Sequence, residues 1–153
     1  MTSGYEEREV TLTFPSEAEY IDLVRLTLYG LATQMGFPYE EIEDMKVAVS
    51  EACNNAVLHG YRDQVGTVRI RFQKLENGLQ IRIKDEGMNV ESDVFAKDRK
   101  SLHDQSIDEI SAGGLGIFMM QALMDEVRVS QENGTEVTLF KRFPALDRSE
   151  STS

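Results

Sequence analysis

Residues 68–84, VRIRFQKLENGLQIRIK, decide the fold class of this chain. Apolar and polar side chains alternate on both sides of the dipeptide Asn77-Gly78. The apolar set is Val68, Ile70 and Phe72 before the dipeptide and Leu79, Ile81 and Ile83 after it. A period of two predicts β-strands, and Asn-Gly between two such runs predicts a tight hairpin turn. Because only one face of each strand is apolar, we expect an antiparallel sheet that is packed on one side and wetter on the other.

The sequence on either side of this hairpin predicts helices and further strands. Ser16 followed by Glu19 has the pattern of a capping box, which predicts a helix that opens there and continues to Gly36. The remaining predicted elements are a strand over Val10–Phe14, helices over Tyr39–His59 and Leu115–Met124, and strands over Glu126–Ser130 and Thr135–Arg142 around a second turn at Asn133-Gly134. These elements favour an α+β fold, a two-layer α/β sandwich whose mostly antiparallel sheet is covered on one face by helices. We expect residues 1–146 to form a single domain and the polar residues 147–153 to be a disordered tail.

The composition limits the classes of function. The chain has 153 residues and a formal net charge of −11, which repels phosphate backbones, so we expect no direct contact with nucleic acid. A surface of this sign suits a basic protein partner instead. Cys53 is the single cysteine, so no intramolecular disulfide can form, and residues 1–10 lack the basic start and apolar core of a signal peptide. No apolar run approaches the ~20 residues that span a bilayer. We therefore expect a cytoplasmic protein with no membrane partner.

Three separated segments carry features that their secondary structure does not require. Glu51 and Asn55 are four residues apart in a predicted helix and therefore share a face. Asp85-Glu86-Gly87 follows the most regular strand, and Gly113-Gly114-Leu115-Gly116 precedes an apolar helix, where exposed N–H groups attract phosphate. Each segment taken alone has an ordinary explanation as well: a solvated helix flank, a turn and a hinge.

The glycine-rich segment is not a P-loop. It lacks the Gly-Lys-Ser/Thr ending, and it does not follow a strand as a dinucleotide-binding fingerprint should. It is preceded by a long irregular stretch, Gly87 to Gly114, which is rich in Asp, Lys, Arg and Ser. Irregular stretches of that length are usually functional, and this one is the first indication of a lid.

The order of the three segments resembles the nucleotide-binding boxes of the GHKL ATPases, which use the Bergerat fold. The resemblance assigns Glu51 and Asn55 to the N box, Asp85 and Gly87 to the first glycine box, and Gly114 and Gly116 to the second. One departure is that Met88-Asn89 follows Gly87, so the second glycine of the usual D-x-G-x-G is missing.

The GHKL resemblance implies ATP and Mg²⁺ as cofactors and gives the site residues their roles. Asp85 would accept a hydrogen bond from the adenine amino group, with Thr135 helping through an ordered water. Asn55 would hold Mg²⁺, for which an amide oxygen is a suitable ligand, and Glu51 would be the general base. The backbone of Gly113, Gly114, Leu115 and Gly116 would cradle the phosphates, while residues 87–112 would close over them as a lid.

Two stretches narrow the resemblance to one branch. Residues 42–61, IEDMKVAVSEACNNAVLHGY, and residues 113–129, GGLGIFMMQALMDEVRV, look like the RsbW and SpoIIAB family of small anti-sigma kinases. This implies a homodimeric serine kinase of the general stress response that phosphorylates an anti-anti-sigma factor and sequesters a sigma factor. Arg25 matches a family position implicated in partner contact, although a plain surface arginine explains it equally well.

Two alternatives to a protein kinase are an anti-sigma binding module that nucleotide only tunes, and an ATPase that uses water. The presence of Glu51 argues against the first, because a non-catalytic site has no need of a base. The small size and open site disfavour the second.

Overall fold

A computed structural model describes residues 8–60, 65–86 and 116–144, with the side chains of residues 59 and 60 left aside. Its elements in chain order are β1 (Glu9–Pro15), a 3₁₀ turn (Ala18–Tyr20), α1 (Ile21–Met35), α2 (Tyr39–Gly60), β2 (Thr67–Leu75), β3 (Gly78–Asp85), α3 (residues 116–123), β4 (Glu126–Ser130) and β5 (Glu136–Arg142). The predicted tail over 147–153 and the predicted lid over 87–112 lie outside the described residues. No helix in the described ranges is long and apolar enough to span a membrane.

The strands form one five-stranded sheet in the order β1-β2-β3-β5-β4, and every neighbouring pair is antiparallel. The apolar side chains that alternate in the sequence lie on one face of this sheet and belong to the core. Arg69, Arg82 and Lys84 lie on the opposite face and keep contact with solvent. The predicted α+β class, with helices on one face of an antiparallel sheet, is confirmed.

Helices α1 and α2 supply the second layer. Each turns one apolar stripe towards the sheet: Ile21, Val24, Leu28 and Ala32 from α1, and Ile42, Met45, Val49 and Ala52 from α2. Burial of such side chains contributes ~1.5–3 kcal/mol for each large one, which makes this stripe-on-sheet contact the main source of stability. Helix α1 ends where Gly36 adopts φ of 90°, a left-handed conformation that glycine adopts without strain.

The capping box predicted at Ser16 is wrong. Helix α1 begins five residues later, after a 3₁₀ turn, and Tyr20 at its N-cap makes no side-chain capping bond. The Ser16 hydroxyl instead accepts a hydrogen bond from the N–H of Gly66 at 2.9 Å, and the Ser16 N–H donates to the Gly66 carbonyl at 3.0 Å. This paired contact prolongs the β1–β2 ladder by one residue, so a long-range partner has replaced the local one.

The two Asn-Gly dipeptides have different structures. In the second, Asn133 and Gly134 adopt φ of 55° and 95°, the left-handed turn that the sequence predicts. In the first, Leu75 pairs with Gly78, so the turn residues are Glu76 and Asn77 and the predicted turn is wrong by one position. Gly78 belongs to β3, and a Cβ atom there would overlap the Lys141 carbonyl oxygen and lie 2.9 Å from Arg142 Cα. Close approach of β5, rather than turn geometry, requires this glycine.

Candidate nucleotide site

A pocket of about 250 Å³ lies between α2, α3 and the β3–β5 end of the sheet. The described residues that line it come from all of these elements: Ala52, Asn55, Ala56, Ile83, Asp85, Ile117, Val129, Gln131, Thr135 and Val137. Three of them, Asn55, Asp85 and Thr135, were singled out from the sequence. A mostly apolar cavity with a few converging polar groups is the usual form of a small-molecule site.

Asp85 is the polar group of this pocket that is fixed most firmly. It ends β3 on the same face as Leu79, Ile81 and Ile83, so the strand period turns its side chain into the core, where only 2% of the residue is exposed. Its N–H donates to the Thr135 carbonyl at 3.1 Å, and the Thr135 N–H lies 3.5 Å from Asp85 Oδ1. Asp85 and Thr135, predicted to act together, are therefore adjacent across the β3–β5 pair.

The pocket walls are apolar, and most of them were missed in the sequence. The sequence places Ile83 on the packed face of its strand and predicts no ligand contact for it, while Ile117, Val129 and Val137 have no distinguishing signal. Alternation predicts that a residue at a strand end is buried, but it does not tell whether the residue packs against another side chain or against a ligand. Only the position of the run beside α2 and α3 reveals that these walls face a cavity.

Glu51, Asn55 and Gly116 meet on the side of the pocket formed by α2 and α3. Gly116 is buried, and a Cβ atom there would lie 3.1 Å from Glu51 Oε1 and 3.6 Å from Asn55 Nδ2. The first distance is tight for a Cβ contact, so glycine allows α3 to begin directly against both side chains. Glu51 and Asn55 are half-buried, so both side chains remain accessible to a ligand. Three residues from two of the predicted boxes are thus brought together.

The other predicted nucleotide-binding residues lie outside the described residues: Gly87, Gly113, Gly114 and Leu115. The described part of the chain contains no group of three or more His, Cys, Asp or Glu side chains that could hold a metal ion. A cation at this site would therefore depend on Asn55 together with oxygens of a ligand and water, which is a normal arrangement for Mg²⁺.

Arg25 does not line the pocket and bridges α1 to α2. Its Nη1 donates to Ser50 Oγ at 2.8 Å, and its Nη2 pairs with Asp22. Ser50 precedes Glu51, so Arg25 contacts the same helix turn that carries the predicted base. About a third of the arginine side chain is exposed, which leaves it accessible from solvent.

Cys53 lies in the same helix turn but points into the core. It is fully buried, and loss of hydration raises the pKa of its thiol to about 12, an effect that the nearby Arg25 charge only partly offsets. The thiol therefore stays protonated at neutral pH and packs as a small apolar group.

Comparison with known proteins places this geometry in a family. Residues 14–141 match the model of the histidine kinase-like ATPase domain. The chain is 43% identical over 134 residues to the serine-protein kinase RsbW of Bacillus subtilis, covering 86% of this chain and 84% of that one. It is 36% identical over 135 residues to RsbW of Bacillus cereus, covering 87% and 84%.

Two solved structures share the fold. The RsbU and RsbW domains of a Mycobacterium tuberculosis protein superpose with a TM-score of 0.64 at 22% identity, covering 88% of this chain and 32% of that one. A chain of the SiaB–SiaC complex from Pseudomonas aeruginosa gives a TM-score of 0.53 at 15% identity, covering 86% and 87%. The domain match over residues 14–141 and the sequence identity show that the chain belongs to the histidine kinase-like ATPase family and, within it, to the RsbW serine-protein kinases.

Proposed function

We propose that this protein is an ATP-dependent serine kinase that phosphorylates an anti-anti-sigma factor and, as an anti-sigma factor, sequesters an alternative sigma factor of the general stress response. The observation that carries the proposal is the meeting of Glu51, Asn55 and Gly116 beside a pocket that contains Asp85. A binding module would need the pocket alone, whereas a kinase also needs a base next to the phosphates.

Asp85 and Thr135 recognise the adenine ring. A buried carboxylate accepts hydrogen bonds only, so it selects a base with an amino group and rejects one with a carbonyl at that position. Apolar walls such as Ile83 and Val137 cover the faces of a flat ring, and their rigidity comes from the sheet. Recognition of the base therefore needs little rearrangement of the protein.

Asn55 and the glycine segment that ends at Gly116 hold the phosphate end of the nucleotide. Gly113, Gly114 and Leu115 directly precede Gly116 in the sequence, and we assign the backbone N–H groups of these four residues to the phosphates, because a helix N-terminus favours negative charge. Gly87, from the first glycine box, is the remaining glycine that we assign to the nucleotide. Mg²⁺, held through the Asn55 side chain, neutralises phosphate charge when it is bound.

Glu51 is the general base for the transfer. It takes the proton from the serine hydroxyl of the partner as the serine Oγ forms a bond to the γ-phosphorus and the bond from phosphorus to the β–γ bridging oxygen breaks. The products are a phosphoserine and ADP. The half-buried position of Glu51 at the edge of the pocket supports this role, because a protein hydroxyl can approach it from outside.

The partners dock on the surface around Arg25. Leu26, Tyr29 and Val47 expose 68%, 45% and 40% of their surface, and the Lys46 Nζ lies 5.8 Å from the centre of the Tyr29 ring. An arginine surrounded by exposed apolar side chains has the composition of a protein-binding hot spot. Both partners use this surface and therefore compete for it.

The active form is a cytoplasmic homodimer. Both properties are carried over from the resemblance to the RsbW group, and a net charge of −11 supports only the expectation that the chain avoids nucleic acid. Sedimentation of the purified chain measures the dimer directly, and a monomer at micromolar concentration contradicts it.

Incubation with γ-labelled ATP and candidate partner proteins tests the function. We expect label on one serine of an anti-anti-sigma factor, identified by mass spectrometry, and retention of the sigma factor that is stronger with ATP than with ADP. Hydrolysis of ATP without transfer identifies a water-using ATPase instead. Nucleotide-dependent retention of the sigma factor without any transfer identifies a binding module, and either outcome overturns the kinase.

A further inference from the structure

Lys141 is a buried charge that the proposed reaction does not use. It lies on the core face of β5, where only 9% of its surface is exposed, next to Leu139 and Phe140. Lysine is almost never buried to this extent without a partner. Its Nζ donates to the carbonyl oxygen of Leu123 at 2.7 Å and lies 3.1 Å from Glu41 Oε1.

The two partners of Lys141 are at the ends of two different helices. Leu123 is the last residue of α3, so its carbonyl is one of those left without a partner inside the helix. Glu41 is in the first turn of α2. A cation is favourable at a helix C-terminus and an anion at a helix N-terminus, so each charge of the pair is also stabilised by the helix that it faces. Lys141 therefore joins the end of α3 to the start of α2.

Helix α3 packs on the core through one side only: Met120 belongs to the core and Leu123 packs against it. Gly116 and Met120 are buried, whereas Phe118 and Met119 expose 68% and 39% of their surface. In a helix of eight described residues, a charged hydrogen bond at the C-terminal end adds appreciably to these apolar contacts. Gly116 at the opposite end of α3 lies seven residues from Leu123, about 10 Å along the helix, beside Glu51 and Asn55.

We propose that Lys141 is a positioning residue for nucleotide binding, resting on the nucleotide site proposed above. Its contact with Leu123 fixes the C-terminal end of α3, and its pairing with Glu41 ties that end to the helix that carries Glu51 and Asn55. The start of α3 is thereby held against these two side chains before nucleotide arrives. We call the contacts of Lys141 with Leu123 and Glu41 the Lys141 clamp. Without it, part of the binding free energy of ATP would be used to order α3, while the rate of phosphoryl transfer would be unchanged.

Lys141→Met tests the clamp because methionine keeps an unbranched apolar stem and removes the ammonium group. We expect KM for ATP to rise about tenfold and kcat to stay within about twofold. Amide hydrogen exchange in residues 116–123 should accelerate, whereas exchange in β1 and β2 should stay as it is. Lys141→Arg keeps a cationic donor and should recover most of the ATP affinity.

Ile70→Val is the matched control for general destabilisation. Ile70 is fully buried on β2, so the substitution lowers the melting temperature without touching α3. A merely structural loss reduces the active fraction and therefore kcat, leaving KM unchanged. If Lys141→Met behaves in this way, or leaves exchange in residues 116–123 unaltered, the clamp is overturned. The exchange measurement needs no nucleotide, so it decides the clamp even if the wild-type chain binds no ATP and the proposed function fails.

Discussion

The two ends of the proposed nucleotide site are formed by different secondary-structure elements. At the proposed base end, Asp85 is the last residue of β3 and Thr135 directly precedes β5, and a backbone hydrogen bond of 3.1 Å joins the two residues at the edge of the core. At the phosphate end, Glu51 and Asn55 project from a helix towards the first described residue of α3. Asp85 pairs with Val68 of β2 on one side, bonds to Thr135 on the other and is only 2% exposed, whereas Glu51 and Asn55 are half-buried and accessible.

In the proposed site, this difference separates recognition of the base from phosphoryl transfer. The base end has to distinguish one nucleobase from another, a task that favours buried, preorganised groups. The phosphate end has to admit a second protein and release a product, which favours groups that solvent can reach. Substitutions at the two ends should therefore affect different quantities, with affinity and base selectivity changing at one end and turnover at the other.

Glu51→Gln should have the largest effect, on turnover alone. Loss of a general base lowers kcat by ~10²–10⁴-fold, while the amide preserves the shape of the side chain and keeps ATP affinity within a few-fold. Single-turnover transfer to the partner protein measures kcat, and calorimetric titration with ATP measures affinity. Glu40→Gln, an exposed glutamate of the same helix, is the control and should change neither quantity. Undiminished transfer would make Glu51 a structural residue.

Asp85→Asn should weaken ATP binding by roughly 10–100-fold, the equivalent of a hydrogen bond to a charged group. The wild-type chain should prefer ATP to inosine triphosphate, which lacks the amino group, and the substitution should reduce that preference. Asp125→Asn is the matched control, because Asp125 also accepts a backbone N–H, from Arg142 at 2.6 Å, and lies outside the lining of the pocket. If the variant keeps the preference for ATP over inosine triphosphate, Asp85 is not the group that recognises the base.

Asn55→Ala should have the smallest effect, confined to the dependence on magnesium. Because Mg²⁺ retains waters and phosphate oxygens, loss of one amide ligand should remove most of the magnesium-dependent tightening and leave metal-free binding unchanged. Titrations of ATP with and without Mg²⁺ measure the difference. Asn54→Ala, one position earlier on the same helix and not in the pocket lining, should behave as wild type. Equal magnesium dependence in the Asn55 variant would locate the ion elsewhere.

Patterns with a fixed period were sufficient to predict the layers of the fold. The alternation of residues 68–84 and the helical spacing of α2 depend on burial, which the sheet and helices satisfy along their whole length. The errors at Ser16 and Gly78 have one cause. Each residue has a favourable local role, as a cap or in a turn, but its observed partner comes from a distant segment: Gly66 for Ser16 and the β5 backbone for Gly78. Local patterns contain no information about such partners.

The site could be predicted only in part for the same reason. Glu51, Asn55 and Asp85 are polar groups in apolar settings, and that contrast is visible in the sequence. Their proximity depends on the strand order β1-β2-β3-β5-β4, which brings the ends of β3 and β5 under α2. The pocket walls and the Lys141 clamp show no such contrast in the sequence, because an isoleucine at a strand end and a lysine near the chain end are both common.

If Asp85 recognises the base as proposed, the length of β3 is a determinant of nucleotide choice. One residue inserted or deleted between Gly78 and Asp85 would turn the carboxylate to the solvent face of the sheet. A change of two residues would restore the face but move the side chain ~7 Å along the strand, away from Thr135. Insertions in this part of the chain can therefore be tolerated only at the Glu76-Asn77 turn. The number of residues in β3 constrains the site as strictly as the identity of the carboxylate does.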